Sequence, residues 1–307
     1  MSELFLVFVD SIATLLIGMA IGFFCYRKRI ITDIHIPGLI DLLVRITMPA
    51  TVFISLMRPF SRELLFENLT TLAIFTCLTF MSGILGGVLA KLMRASDAER
   101  EVWQFGSAFG NVTFMGIPVI LVVFGPEGLI FVSMSMIASN ILTFTYGIRM
   151  FKSAPKHLNI MKLLAENPVI PAAVLGFAMF LTGLRFPSTI ENSVSLLAAI
   201  TTPLSMIVFG AILARNNLIE AFLDIRLIPH SILKLVVLPI ITLFVLRSIF
   251  GSTLMVHVLA TLVAMPVAAK TVILAEKYAE NSSIAARFVV VTTLLSAISV
   301  PLLSLLF

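Results

Sequence analysis

Apolar runs of membrane-crossing length follow one another along nearly the whole chain, parted by short polar or Gly/Pro-containing connectors. About 20 apolar residues is what an α-helix needs to cross roughly 30 Å of hydrocarbon. Ten such segments are read, centred near Ile17, Ala50, Phe80, Met115, Ala138, Leu175, Met206, Val236, Met265 and Ser296. With 59% hydrophobic and 12% charged residues, against roughly a quarter charged in soluble domains, no water-soluble fold could hide this much apolar surface. The expected fold is therefore an all-α polytopic membrane protein of ten transmembrane helices. Met1 to Tyr26 is expected to remain as the first helix, because its apolar run is long, Arg27-Lys28-Arg29 follows it, and no small-residue cleavage site appears. Cys25 and Cys77 have no metal-ligand spacing and are read as packing residues.

Alternate connectors share a side of the membrane. Those after the first, third, fifth, seventh and ninth helices hold fourteen Lys and Arg, whereas the opposite side holds only Arg58, Arg62, Arg185 and Arg247. The positive-inside rule then places the first set in the cytoplasm and both termini outside. The formal charge of +5 reports this topology and not a nucleic-acid partner.

The two halves are built alike. Arg45-Ile46-Thr47-Met48-Pro49 corresponds to Ala199-Ile200-Thr201-Thr202-Pro203, Ile17-Gly18-Met19-Ala20 to Leu175-Gly176-Phe177-Ala178, and a proline-broken run around Pro118 to one around Pro266. Five helices per half is an odd number, so the halves insert with opposite orientation. The expected layout is a first five-helix repeat over 1–151, a cytoplasmic linker over 152–166 and a second repeat over 167–307. Paired proline-interrupted segments in corresponding halves point to a transport site near the bilayer midplane.

The fourth segment reads Phe109-Gly110-Asn111-Val112-Thr113-Phe114-Met115-Gly116-Ile117-Pro118. Gly116 and Pro118 should interrupt the helix, since proline removes a donor and its ring clashes with the preceding turn. In hydrocarbon such a break is tolerated only where it is buried in protein or lines a wet cavity. Asn111, about two turns before Pro118, offers an amide to that cavity; a plain interhelical hydrogen bond is the equally weighted alternative. The ninth segment repeats the device with Ala264-Met265-Pro266-Val267-Ala268-Ala269-Lys270. If the two cross at their breaks, half-helix N-termini face the crossing and favour an anion. Lys270 lies too deep to snorkel fully to the surface, and an intramembrane charge is functional by default. The structural alternative is a pair with an acid such as Asp41.

Asp41 and Arg45, four apart, are read as a mostly structural pair along one helix face. Lys234, well inside the eighth helix, is a secondary charged candidate. Pro49 and Pro203 are expected to kink scaffold helices flanking the crossing. Asn140 and Ser296 flank it in the fifth and tenth helices, either lining the path or bonding between helices. Thr113, Gly116, Pro118 and Pro266 complete the candidate substrate site. The four histidines share no spacing, and no hydrolase elbow, P-loop or metal cluster is present. The chain is read as no enzyme, with no cofactor and no metal, and its transport as passive or driven by an ion gradient.

Gly110-Asn111-x-x-x-Met115-Gly116-Ile117-Pro118, Pro266 and Leu274-Ala275-Glu276-Lys277-Tyr278 together resemble the auxin efflux carrier family, over essentially the whole chain. The resemblance implies two inverted five-helix repeats with helices 1, 2, 6 and 7 as scaffold and the rest as a moving transport domain. It further implies small organic-anion substrates, elevator-like motion, often homodimers, and a substrate role for Asn111, Pro118 and Pro266. Lys270 departs from the neutral residue of that pattern. Its ammonium can neutralise the substrate's charge in place of a coupling cation, or carry a coupled proton itself. The reading is thus a secondary carrier of carboxylates in the lipid bilayer, with a bacterial inner membrane as the expected address. The alternatives are a sodium-coupled symporter of the bile-acid type and a non-transporting membrane receptor or sensor.

Overall fold

A computed structural model describes residues 2–154, 167–215, 224–278 and 282–307. The expected linker lies, from residue 155 on, outside the described residues. Every element among them is helical. Seven stretches are long and apolar enough to cross a membrane: Leu6–Arg27, His35–Leu56, Arg62–Leu92, Val112–Met150, Ser188–Arg215, Leu227–Phe250 and Ser283–Ser304. Val169–Thr182 and Leu254–Val263 are shorter apolar helices.

In chain order the α-helices are α1 (Ser2–Arg27), α2 (His35–Leu42), α3 (Met48–Leu56), α4 (Arg62–Leu92), α5 (Asp97–Ala108) and α6 (Ile117–Leu142). They continue as α7 (Val169–Thr182), α8 (Ser188–Ala199), α9 (Thr201–Arg215), α10 (Leu227–Ile232), α11 (Leu238–Phe250), α12 (Leu254–Val263), α13 (Lys270–Tyr278) and α14 (Ser282–Ser304).

Prolines explain several of the joints. Pro49, Pro118 and Pro239 are each the second residue of an α-helix that follows a five-residue π turn: Leu43–Thr47, Val112–Gly116 and Leu233–Val237. An α-helical proline would drive its ring into the carbonyl four residues back. The wider π turn moves that carbonyl aside without ending the span. Pro203 solves the same problem differently, standing at the third position of α9 just after the irregular Ile200. No intrahelical partner is needed for a backbone N–H there. Thr51 of α3 and Thr201 of α9 meet at 2.8 Å between hydroxyls, so the two proline-bearing spans touch beside their bends.

α1 lies along α9 with their backbones nearly in contact. A Cβ on Gly22 would strike the Ile207 carbonyl, and one on Gly210 the Met19 carbonyl. Small residues permit this approach, which supplies the dispersion contacts that hold membrane helices together where no hydrophobic effect operates between them.

α5 begins at a capping box. Ser96 Oγ accepts the Glu99 N–H and the Ser96 N–H donates to Glu99 Oε2 at 2.8 Å, satisfying two donors of the first turn. It ends at Ala108, where Phe109 turns extended (φ −109, ψ 97). The interruption therefore falls at Phe109–Asn111, ahead of Gly116 and Pro118, because the π turn absorbs the proline. Gly125, at φ 70, makes a second bend inside α6 just before Pro126.

Candidate functional site

The two interrupted stretches cross at their non-helical residues and replace the missing helical bonds with bonds to each other. The Asn111 N–H donates to the Pro266 carbonyl at 2.7 Å, and the Ala268 N–H to the Phe109 carbonyl at 3.1 Å. Between them Gly110 and Val267 form an isolated antiparallel bridge. The Val267 N–H donates to Thr292 Oγ1 of α14 at 3.1 Å. Every one of these groups would be costly to leave unpaired at membrane depth.

Beside the crossing opens a cavity of about 320 Å³. Its polar wall consists of Asn111, Thr113, Asn140, Thr143, Asn167 and Lys270. The lining also holds apolar side chains, among them Ile40, Val44 and Met48 of the proline-bearing stretch His35–Leu56, Phe209 and Ile212 of α9, and Phe114, Met136, Phe144 and Ile273 on the elements that carry the polar groups. The first turns that follow both interruptions, at Val112 and at Lys270, border the cavity, so the positive ends of two helical segments face it.

Lys270 Nζ donates to Ser139 Oγ at 3.0 Å and to Thr143 Oγ1 at 2.7 Å, and lies 4.9 Å from the centre of the Phe109 ring. Thr143 spends its own proton on the Ser139 carbonyl, at 2.6 Å, so its oxygen is free to accept from the lysine. An ammonium has three donors, and one is left over. Among the described residues no carboxylate lies within 4.0 Å of it. Hydroxyls and a ring face orient the charge without cancelling it.

Asn111 is 2% exposed. Its Oδ1 accepts the Phe114 N–H at 3.0 Å and caps the turn that follows, while its Nδ2 has no protein partner. A buried amide donor left open costs about 1–3 kcal/mol, and this one belongs to a residue of the cavity lining. Asn140 Oδ1 accepts from Asn167 Nδ2 at 3.2 Å, and Asn167 Oδ1 caps the start of α7 by accepting the Val169 N–H.

The other candidates lie elsewhere. Gly116, Pro118 and Pro266 do not line the cavity; Pro266 shapes it through its carbonyl, and Gly116 lets Leu262 pack against the turn. Ser296 donates to the Thr293 carbonyl and borders a separate small pocket against α1. Asp41 and Arg45 pair with each other at 3.2 Å on an exposed face, so Asp41 is not the partner of Lys270. Lys234 is buried behind Gly110 and outside the cavity lining.

Residues 7–304 match the model of the membrane transport protein family. The chain belongs to that family. It is the auxin efflux carrier family that the broken-helix motifs resemble. An uncharacterized transporter of Methanocaldococcus jannaschii is 30% identical to this membrane transport protein over 304 residues, covering 96% of this chain and 97% of the relative. An uncharacterized transporter of Escherichia coli K12 is 22% identical over 285 residues, 88% of each chain. A Rhizobium meliloti protein named "Putative malonate transporter" is 25% identical over 219 residues, 68% of each chain. The protein is an integral membrane protein of a transporter family.

Proposed function

We propose that this family member is a secondary carrier of small organic anions, carboxylates above all, which binds its substrate in the cavity beside the crossing. The observation that carries the reading is the pair of unspent donors there: the third N–H of Lys270 and the Nδ2 group of Asn111, with an uncancelled positive charge between two helix starts. A carboxylate has two oxygens, and accepting from an ammonium and an amide satisfies both centres. The relative named for malonate is in keeping with a carboxylate cargo.

Ten spans follow if α5 with the stretch up to Phe124 counts as one interrupted crossing, and α12 with α13 as another. Residues 1–151 and 167–307 then form two inverted five-helix repeats with both termini outside, and 152–166 the linker between them. The cavity walls support an elevator motion. Its polar ligands Asn111, Thr113, Asn140, Thr143 and Lys270 come from the fourth, fifth and ninth spans, while Ile40, Val44, Met48, Phe209 and Ile212 come from the second and seventh. Substrate held by the polar set can travel with it past these apolar side chains, the Asn167–Asn140 bond at the start of the sixth span being the directional contact that the motion has to break. The proposed carrier works without enzymatic chemistry as a homodimer in a bacterial inner membrane.

A melting series on purified protein tests the site, because a ligand that binds only the folded state raises apparent stability by RT ln(1 + [L]/Kd). Malonate, succinate and acetate are offered to the wild type and to Lys270→Met. At least one should raise the wild-type midpoint and leave the variant's unchanged. No shift with any of them, or an equal shift in Lys270→Met, overturns the reading.

A further inference from the structure

We propose that Lys234 is a built-in cation at the back of the crossing, standing where an inorganic cation would otherwise be needed, so that this carrier binds substrate without one. The inference goes beyond the carrier reading, since it concerns the face of the crossing turned away from the cavity.

Lys234 projects from the π turn Leu233–Val237 and is 2% exposed. Its Nζ lies 3.1 Å from where a Cβ on Gly110 would stand, with the Met265 carbonyl oxygen at 3.2 Å and the Leu262 carbonyl oxygen at 3.4 Å from the same point. Gly110 lies just beyond the end of α5, and Leu262 and Met265 mark the end of α12. The ends of two helices therefore lie close to this ammonium, each carrying about half a negative charge at its C-terminus, although the Leu262 carbonyl already accepts the Met265 N–H at 3.2 Å. Among the described residues no carboxylate lies within 4.0 Å of Lys234.

A lone charge is expensive at this depth, and so is partial negative charge from two neighbouring helix ends. The lysine and the carbonyl ends relieve each other. The crossing thus has two poles: helix starts, Asn111 and Lys270 on the cavity side, and helix ends with Lys234 behind. Gly110 divides them, and a Cβ there would stand tight against both the ammonium and the Met265 carbonyl, so the glycine gives each its room.

The test compares wild type, Lys234→Ala and Lys234→Met in sodium, potassium and choline chloride at equal ionic strength. It reads the melting midpoint without added anion and the affinity for whichever of malonate, succinate or acetate binds. Wild type should give the same midpoint and affinity in all three salts. Lys234→Ala should melt lower and bind at least tenfold more weakly in choline, recovering part of both losses in sodium, because removal of the side chain leaves space for a small cation. Lys234→Met fills that space without charge and should stay low in all three. A sodium-dependent wild type overturns the proposal, as does Lys234→Met matching wild type or Lys234→Ala falling equally in every salt. The anion-free midpoint reads the crossing even if no carboxylate binds, so failure of the carrier reading is separable from failure of this one.

Discussion

Asn111 does two jobs with the two ends of one amide, and substitutions can separate them. Its oxygen caps the turn after the interruption and its nitrogen has no protein partner. Asn111→Ala loses both, including about 1 kcal/mol of capping. Asn111→Asp keeps the acceptor, removes the donor and sets a negative charge in the cavity wall that also holds Lys270. It should keep a near-wild-type melting midpoint and lose carboxylate affinity by at least tenfold in a titration on purified protein; undiminished affinity would return Asn111 to a purely structural role. Lys270→Met should bind no carboxylate yet melt at the wild-type temperature or above, since a buried ammonium without a counter-ion costs several kcal/mol to desolvate. Both residues were legible in the sequence from their depth and from the interruptions beside them. Ser139 and Thr143 carry no such signal, although four-residue spacing puts them on one face. What selects that face is the Lys270 ammonium, which reaches both hydroxyls from the far end of the sequence. Asn167 was hidden at the edge of the expected linker, where an Asn-Pro pair reads as a turn signal and says nothing about a cavity.

Among the elements, proline marked the right spans but not the place where each one opens. The sequence put the fourth-segment break at Gly116–Pro118; it lies at Phe109–Asn111, because the Val112–Gly116 π turn lets Pro118 continue the helix. A π turn has no composition of its own, so its position depends on tertiary bonds such as Asn111 N–H to the Pro266 carbonyl. The contact of α1 with α9 is also set by partners distant in sequence. Gly22 has no room for any side chain against the Ile207 carbonyl, so Gly22→Leu must push the helices apart. Overpacking of a tight contact costs about 1–3 kcal/mol or more. A lowered melting midpoint with carboxylate affinity unchanged in the folded fraction is the expected outcome, and an unaltered midpoint would show that α1 and α9 do not meet in this way.

At the scale of the molecule, charge distribution and apolar runs made the membrane class plain before any coordinates, and the motifs around Pro118 and Pro266 carried the family resemblance, whereas the cavity needed the fold, since it joins Ile40 to Lys270 across most of the chain. The proposed orientation is checked with single cysteines at Ser2 and Ser153 in a background lacking Cys25 and Cys77. An impermeant thiol reagent on intact cells should label position 2 and spare position 153, and the reverse pattern would invert the topology. The central claim is that carboxylate crosses the membrane held by Lys270 and Asn111. Its most direct test is accumulation of labelled mono- and dicarboxylates by proteoliposomes, preloaded with the same unlabelled anion, carrying wild type or Lys270→Met. Wild type should exchange at least one carboxylate and Lys270→Met none; binding without exchange by wild type, or full exchange by Lys270→Met, would contradict the account.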